Sequence, residues 1–585
     1  MLPVRKEIIA RLASLTGLPE PEVETSLEIP PDPTLGEYAF PCFPLARRFK
    51  KAPQLIAAEM AEHDWPSDYV ERVESVGPYL NFHVRRSYLY NTLLPQILRE
   101  GPVYGILAEG KGKTVVVDYS APNIAKPFSV GHLRSTVIGN ALCRLYRSLG
   151  YKVVGINHLG DWGTQFGKLI VAYRQWGDAN RLLEEPVQYL YHLYVRFHQE
   201  AESTPELEEE ARSWFRRLEQ GDREARELWE HFRALSLEDF QRLYRYLGIS
   251  FDSYMGESDY NDRLEETIEL ARSRGLVKES EGALVADLEP YGLPTCLLRK
   301  KDGAALYITR DLAAAIYRHE TYSFDQMLYV VGAEQTLHFQ QFFKLLELMG
   351  FSWAGNCTHV PFGLIHFKDG RMSTRQGKVI FLEEVLKRAV ELAREIIEEK
   401  NPSLNEKDSV ARAVGLGAVI FGDLINDRIK DVEFDWEKIL DFAGETAPYI
   451  QYSHARVCSI LRRAAAEEMI SANGMDTELK ETTTSGDAAP LKVHNSFGEP
   501  EEETLIIAMA HFSEEIVRAV RDNRPSYLAR YLLELARGFN KFYHNCPVLT
   551  ASEEIRQRRL QLVAGVRIVL RNGLALLGIE APQEM

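Results

Sequence analysis

The sequence has few cysteines and no long apolar segment, and each absence excludes a class of protein. Its six cysteines stand singly along 585 residues, and no two are separated by only two positions. A zinc site built from paired cysteines is therefore not predicted, and unpaired thiols are typical of the reducing cytoplasm. No run of about 18 apolar residues occurs, so we expect no membrane-spanning helix. The first residues also lack the apolar core of a secretory signal.

Basic residues are too few to balance the acidic ones, and the formal net charge is −16. Such a chain is not expected to coat nucleic acid through non-specific attraction, although local basic patches can still contact it. Two patches stand out, ARRFKK at residues 46–51 and RAVRDNR at residues 518–524. Each is equally compatible with an exposed helix face and with a phosphate contact.

The chain is too long for one hydrophobic core, and the pattern of elements changes twice along it. We predict a multidomain α/β protein, with a small α+β domain over residues 1–108. Strand and helix patterns alternate over residues 109–440, which predicts a Rossmann-type parallel sheet with a charged helical insertion at about 180–250. Residues 441–585 carry helix patterns, interrupted by a polar segment at 471–503 that we predict to be a loop.

A charged segment with two prolines, SAPNIAKPFSVGHLRST at residues 120–136, joins the β-branched run TVVVDY to a helix pattern. Such connections carry ligand sites in α/β proteins. Gly131 and His132 fall where the helix begins, and free backbone N–H groups favour phosphate there. An imidazole adds a directed donor, and Lys126 adds a mobile cation. A structural histidine is the alternative interpretation.

Three further segments carry polar chemistry: NHLGDWGTQFGK (157–168), GAALYITRDLAAA (303–315) and FKDGRMSTRQGKVI (367–380). The first follows a second predicted strand. The second brings Tyr307, Arg310 and Asp311 together at a helix start. The third contains four basic residues and is suited to clamping a polyphosphate, or is simply an exposed turn.

Together with YVVGAEQTLHFQQ, YIQYSHAR and LLGIEAP, these segments resemble the class I aminoacyl-tRNA synthetases, and specifically the arginyl-tRNA synthetases, over essentially the whole chain. The resemblance implies arginine–tRNA ligation. L-arginine attacks ATP to give arginyl-adenylate and pyrophosphate, and tRNA(Arg) then accepts the arginyl group. It further implies Mg²⁺ with the ATP, a need for bound tRNA in the first step, a cytoplasmic monomer and no membrane partner.

The family's two ATP signatures are present in altered form. The first is Ser129-Val130-Gly131-His132, in which Ser129 replaces the leading histidine and can donate only an uncharged hydrogen bond. The second is Arg371-Met372-Ser373-Thr374-Arg375, in a loop at 368–378. The resemblance implies catalysis and ATP binding by a set of residues from both signatures: Lys126, His132, Arg371 and Arg375 as catalytic cations and donors, and Ser129, Gly131, His132, Met372 and Ser373 around the nucleotide.

An arginine substrate has to be chosen by its planar, five-donor guanidinium, which needs acceptors and at least one carboxylate. The family's pocket maps onto Asp118, Asn123, Tyr307, Asp311 and Gln335. Asp118 is shorter than the glutamate expected in some relatives. The alternative for Asp311 is an ion pair with Arg310, although neighbours on a helix point in different directions.

The resemblance also implies two tRNA-binding surfaces. The N-terminal candidates are basic, namely Arg47, Arg48, Lys50 and Lys51. The C-terminal candidates are Tyr449, Tyr452 and His454, which would stack on unpaired bases, and Arg456, which would reach a phosphate. Helix packing is an equally good interpretation of the tyrosines. Two rival functions stay open: a class I synthetase for another amino acid, and a catalytically silent paralogue that binds tRNA or a regulatory partner.

Overall fold

The computed structural model describes residues 1–30, 32–301, 303, 306–367, 380–474 and 499–585.

The N-terminal part of the chain is a small α+β unit. The first elements are α1 (Leu2–Thr16), α2 (Glu20–Ser26), β1 (Tyr38–Pro41), α3 (Ala46–Phe49), α4 (Pro53–Ala61), β2 (Val70–Val76), β3 (Tyr79–Val84), α5 (Arg86–Tyr88) and α6 (Leu94–Glu100). The three strands form an antiparallel sheet in the order β1-β3-β2, with β3 buried in the middle.

The middle of the chain alternates strands and helices. Its elements are β4 (Thr114–Asp118), α7 (Leu133–Ser148), β5 (Lys152–Ile156), α8 (Thr164–Trp176), α9 (Ala179–Glu184), α10 (Pro186–Ser203), α11 (Glu206–Glu219), α12 (Arg223–Leu247), α13 (Leu264–Ser273), β6 (Val277–Ser280), β7 (Ala283–Ala286), β8 (Cys296–Arg299), α14 (Tyr307–Tyr322), β9 (Gln326–Tyr329), α15 (Thr336–Leu348), β10 (Cys357–His359), β11 (Ile365–Phe367), α16 (Leu382–Lys400), α17 (Lys407–Leu424), β12 (Val432–Phe434) and α18 (Trp436–Ile439).

The central sheet is parallel and has the strand order β10-β9-β4-β5. Its middle strand β4 is apolar on both faces, and Val115, Val116 and Val117 are fully buried, as expected for a sheet covered on both sides. The chain passes from β4 to β5 on one side and later to β9 on the other. The carboxyl end of β4 is therefore a topological switch point, where α/β folds form a ligand crevice.

The α/β prediction with a parallel sheet is confirmed. The helices α9 to α12 occupy the region of the predicted insertion. Two features escaped the sequence analysis. An antiparallel sheet of β6, β7 and β8 precedes α14, and a short parallel pair joins β11 to β12. The strand β4 also ends at Asp118, one residue before the end of the run TVVVDY.

The C-terminal part is helical: α19 (Ala447–Gly474), α20 (Pro500–Ala510), α21 (Phe512–Arg521), α22 (Pro525–Asn545) and α23 (Glu553–Leu576). The loop prediction for 471–503 was too wide, because α19 continues to Gly474 and α20 begins at Pro500. Residues 475–498 lie outside the described part of the chain. Within the described residues, no helix is long and apolar enough to cross a membrane.

Candidate active site

The segment that follows β4 has an unusual backbone. Ser120, Ala121 and Ala125 have φ angles of 72°, 46° and 58°. Residues with a side chain rarely adopt this left-handed conformation, and it persists only where the surroundings hold it. The Ser120 N–H donates to Ser135 Oγ at 2.8 Å, and the Ala125 N–H donates to Ser236 Oγ at 3.1 Å. The helices α7 and α12 therefore fix this segment from both sides.

His132 ends a 3-10 turn, Val130–His132, that leads directly into α7. The Ser129 backbone N–H donates to His132 Nδ1 at 3.2 Å, and Ser129 Oγ lies at the same distance from this atom. Nδ1 thus accepts a hydrogen bond, so the neutral ring carries its proton on Nε2. Burial lowers the pKa of His132 to about 4, and the charge of Lys126 acts in the same direction. His132 is consequently a neutral donor at physiological pH.

Ser129, which replaces the signature histidine, is built into this arrangement. Besides contacting the His132 ring, it forms an antiparallel bridge with Phe381. The Val130 N–H donates to Ile380 O at 3.2 Å, and the Leu382 N–H donates to Phe128 O at 2.9 Å. Residues 380–382 are therefore fixed beside the first signature. The candidates Arg371, Met372, Ser373 and Arg375 lie outside the described residues.

Lys126 lies on the same loop and faces the helical insertion. Its Nζ atom is 5.8 Å from the centre of the Tyr194 ring on α10, and its backbone N–H donates to Asn123 O at 3.3 Å. A cation above an aromatic face is attracted by the ring quadrupole. The insertion therefore contributes directly to the environment of the predicted catalytic lysine.

Asn123 packs on Gly160, the first of three glycines in the segment 157–168. Asn123 and Gly160 form a parallel bridge, and a Cβ atom added to Gly160 would lie only 2.3 Å from Asn123 Oδ1. The loops after β4 and β5 therefore meet at the crevice with no room for a side chain at position 160.

Asp118, the last residue of β4, is paired with an arginine of the protein itself. Arg318 Nη1 lies 2.9 Å from Asp118 Oδ2, and the two residues are 1% and 6% exposed. The sequence analysis did not identify Arg318. Arg318 stands seven residues after Asp311 on α14, which places both on one face of that helix. Asp118 thus has a counter-charge within the protein. Through Arg318 it contacts α14, the helix that also carries Tyr307 and Asp311.

Asp311 pairs with His338 of α15, whose Nε2 is 2.6 Å from Asp311 Oδ2. Both side chains are about a quarter exposed, at 28% and 25%, so solutes can reach the carboxylate. Arg310 points elsewhere and donates to Glu257 O at 3.2 Å and to Asn261 Oδ1. Tyr307 and Gln335 are exposed near this pair, at the starts of α14 and α15.

Glu257 is an acidic residue near this pair that the sequence analysis did not identify. Burial raises its pKa to about 8, the neighbouring charges of Asp311 and Asp161 add to the rise, and Arg310 opposes it. Strongly shifted carboxyl groups cluster at functional sites. The crevice therefore contains a carboxyl group that titrates near neutral pH beside the predicted arginine pocket.

The N-terminal candidates form an exposed basic surface. Arg47, Arg48, Lys50 and Lys51 are all exposed around the short helix α3, and Lys51 Nζ pairs with Glu59 at 2.7 Å. The aromatic rings of Phe43 and Phe49 lie among them and are 54% and 41% exposed. Basic groups interleaved with exposed rings are typical of surfaces that bind nucleic acid.

Two of the C-terminal candidates, Tyr452 and Arg456, line a groove of about 740 Å³. The guanidinium of Arg456 lies between two rings, 4.8 Å from the centre of Tyr452 and 5.0 Å from that of Tyr543. The tyrosines are 42% and 40% exposed. Tyr543 comes from α22 and was not identified in the sequence. This aromatic–arginine stack offers a platform for an unpaired base.

The structure does not support base stacking on His454. This residue is 1% exposed, and its Nδ1 atom is 2.9 Å from Pro582 O, so neither face of the ring is accessible. Burial lowers the pKa of His454 and keeps it neutral. Tyr449 is half-buried, and its hydroxyl accepts from Asn540 Nδ2 at 2.9 Å, which favours the packing interpretation.

A parallel sheet with a Gly-His pair at the helix start after its central strand, followed by a helical C-terminal domain, defines a class I aminoacyl-tRNA synthetase. Three family models match in this order: "Arginyl tRNA synthetase N terminal domain" over residues 3–84, "tRNA synthetases class I (R), catalytic domain" over 93–436, and "DALR anticodon binding domain" over 450–585. The chain belongs to the arginyl-tRNA synthetases, the arginine–tRNA ligases of class I.

Individual relatives agree with this assignment. The chain is 49% identical to the arginine–tRNA ligase of Clostridioides difficile, over 98% of this chain and 97% of that protein. It is 48% identical to the enzyme of Halothermothrix orenii, over 96% of both chains. The solved arginyl-tRNA synthetase of Thermus thermophilus superposes with a TM-score of 0.82 at 28% identity, covering 100% of this chain and 99% of that one.

Proposed function

We propose that this chain joins L-arginine to tRNA(Arg) in two steps at the crevice beyond β4. In the first step the arginine carboxylate attacks the α-phosphate of ATP, which forms arginyl-adenylate and releases pyrophosphate. In the second step the terminal ribose hydroxyl of the tRNA attacks the adenylate carbonyl and releases AMP. The observation that carries the proposal is the placement of an acidic, guanidinium-suited wall beside the Gly-His helix start.

The acidic wall selects the amino acid. Asp311 is accessible and can exchange His338 for a guanidinium, which offers two parallel donors to one carboxylate. Tyr307 and Gln335 supply further acceptors from the neighbouring helix starts, and Asn123 supplies an amide from the loop after β4. Asp118 contributes mainly by fixing Arg318 and α14, because its carboxylate already has a buried counter-charge.

The phosphates lie at the start of α7. The Gly131 and His132 backbone and the Nε2–H of His132 offer donors to the phosphate oxygens, and Lys126 adds a charge. Arg371 and Arg375 act as further cations, and Ser129, Met372 and Ser373 complete the ATP site. Mg²⁺ enters with ATP, bound mostly by phosphate oxygens.

The tRNA spans two surfaces. We assign Arg47, Arg48, Lys50 and Lys51 to phosphates of the tRNA body, and the stack of Tyr452, Arg456 and Tyr543 to an unpaired anticodon base. Tyr449 supports this stack through Asn540, which also accepts from Arg456 at 2.5 Å. Binding of tRNA is needed before arginine activation, and the enzyme acts as a cytoplasmic monomer.

The first experiment is ATP–pyrophosphate exchange with each amino acid, with and without tRNA(Arg). Of the amino acids tested, only arginine should support exchange, and it should do so only when tRNA is present. Exchange with a different amino acid would replace the assigned substrate, and exchange without tRNA would remove the tRNA requirement. Tight tRNA binding with no exchange at all would favour the silent-paralogue hypothesis. The contact of Ser129 with the His132 ring argues against that hypothesis, because the altered signature still orients its histidine.

A further inference from the structure

Arg134 lies two residues after His132 on α7 and is almost completely buried, at 1% exposure. Its Nε atom donates to Asp423 Oδ1 at 2.7 Å, at the end of α17. Its Nη1 atom donates to Gly363 O at 2.8 Å and to Lys430 O at 2.7 Å. One guanidinium thus binds three separate segments of the chain.

The two carbonyls stand where the strands of the parallel pair begin. Gly363 comes two residues before β11, and Lys430 comes two residues before β12. Gly363 has to be a glycine, because an added Cβ would lie 2.7 Å from Lys430 backbone atoms. The strands then pair from Ile365 with Val432 onward. Arg134 therefore holds the chain two residues before each strand begins.

This strand pair adjoins the segment that carries the second signature. Its strand β11 ends at Phe367, immediately before residues 368–379, which contain the second signature. On the far side of that segment, residues 380–382 hydrogen-bond to residues 128–130. Both flanks of the second signature are therefore attached near the first signature. Residues 380–382 are attached through backbone hydrogen bonds, and β11 is attached through Arg134.

Stability alone is a poor explanation for this contact. Burying two charges carries a large desolvation cost, and replacing a buried ion pair with apolar groups is often neutral or stabilising. Here Arg134 Nη2 and Asp423 Oδ2 have no hydrogen-bond partner within the described residues, which adds to the cost. What a guanidinium offers, and an apolar or lysine side chain does not, is a rigid fork that fixes three acceptors at once.

We propose that Arg134 is a positioning residue, which with Asp423 sets the placement of the β11–β12 pair relative to the His132 helix start and thereby shapes the ATP site. The inference rests on the function proposed above. The hydrogen bonds of Arg134 go to Asp423, Gly363 and Lys430, none of which is proposed to bind arginine or tRNA, so we expect its effect to fall on ATP alone. A misplacement of about 1 Å is enough to lower the rate about 100-fold when groups must meet at one phosphate.

The test uses full-length Arg134→Lys and Asp423→Asn. The first keeps the charge and loses the fork, and the second keeps the shape and loses the counter-charge. We expect the KM for ATP in tRNA-supported exchange to rise about tenfold or more, with kcat/KM for ATP down about 100-fold. The KM for arginine and the Kd for tRNA should stay within about threefold of wild type. Calorimetric binding of a non-hydrolysable ATP analogue should weaken in parallel.

Arg558→Lys is the matched control, because Arg558 is 8% exposed and pairs with the fully buried Glu502 at 2.9 Å within the helical domain. It should lose stability to a similar extent and keep the KM for ATP. Unchanged ATP parameters in both folded test variants would overturn the inference, as would equal losses for ATP and arginine. A wild-type protein without exchange activity would instead refute the proposed function, and the ATP-analogue titration would still decide the role of Arg134.

Discussion

The ring of His132 is held neutral by its surroundings, and this has a measurable consequence for folding. Its folded pKa of about 4 lies below the value of about 6.5 for an unperturbed histidine. Between these values the unfolded chain binds the proton more readily. His132 therefore lowers the free energy of unfolding as the pH falls from about 6.5 to 4, and this penalty is absent above that window.

We predict that His132→Asn lacks this penalty, because asparagine can accept from Ser129 without titrating. The unfolding free energy of the wild type minus that of the variant should decrease as the pH falls from about 6.5 to 4. Urea titrations across this range measure it. A difference that stays constant with pH would show that the folded histidine titrates normally.

The Asp118–Arg318 pair gives a second prediction at the scale of single residues. Arg318→Met leaves the Asp118 carboxylate buried without its charge partner, and we expect a loss of about 3–5 kcal/mol in unfolding free energy. The double variant Arg318→Met with Asp118→Leu should recover most of that loss, because no charge remains. Chemical unfolding of the single and double variants provides the comparison. Equal losses in both would mean that packing, rather than charge, dominates.

At the scale of elements, the crevice depends on how the loops after β4 and β5 fit together. We predict that Gly160→Ala displaces the Asn123 amide, since the new methyl group would lie 2.3 Å from its oxygen. The KM for arginine should rise about tenfold, with a smaller change for ATP. Steady-state exchange assays measure both values.

Gly355→Ala is the control for this change, because a Cβ there meets no atom within 4 Å. Both variants replace a glycine with alanine, and neither position has a left-handed φ angle. A loss of arginine affinity in the control as well would point to a general effect on folding instead of a displaced Asn123.

The elements themselves were largely predictable, because the valine-rich runs and their alternation with helices are local signals. Contacts between distant segments were not. Arg318, His338 and Tyr543 acquire their roles from partners on other elements, namely β4, α14 and α19. His454 shows a local signal that was missed. Tyr452 and Arg456 are four residues apart and share one face of α19, whereas His454 lies between them and points to the opposite, buried face.

At the scale of the whole molecule, the two proposed tRNA surfaces belong to domains that are joined by a partly exposed ion pair and a buried hydrogen bond. Arg86 of the N-terminal domain pairs with Glu37 at 2.8 Å and with Glu503 of α20 at 2.5 Å. The hydroxyl of Tyr38 donates to Glu514 of α21. These contacts hold the two surfaces at a fixed separation from each other, and a single tRNA has to contact both.

These surfaces should respond differently to salt, because one binds phosphates and the other binds a base. Each phosphate contact contributes about 0.7–0.9 to the slope of log K against log salt concentration. We predict that Arg47→Gln with Lys50→Gln lowers this slope by about 1–2 and weakens binding of any tRNA. Tyr543→Leu should weaken binding of tRNA(Arg) by about 1–3 kcal/mol and leave the slope unchanged, because stacking releases no counterions.

Titrations of labelled tRNA(Arg) at several salt concentrations distinguish the two effects. Lys152→Gln is the control for charge, since Lys152 is exposed at the amino end of β5, on the edge of the sheet opposite the crevice. It should change neither affinity nor slope. If Tyr543→Leu lowered the slope as the N-terminal variant does, the groove would bind phosphate through Arg456, and the base-stacking assignment would have to be given up.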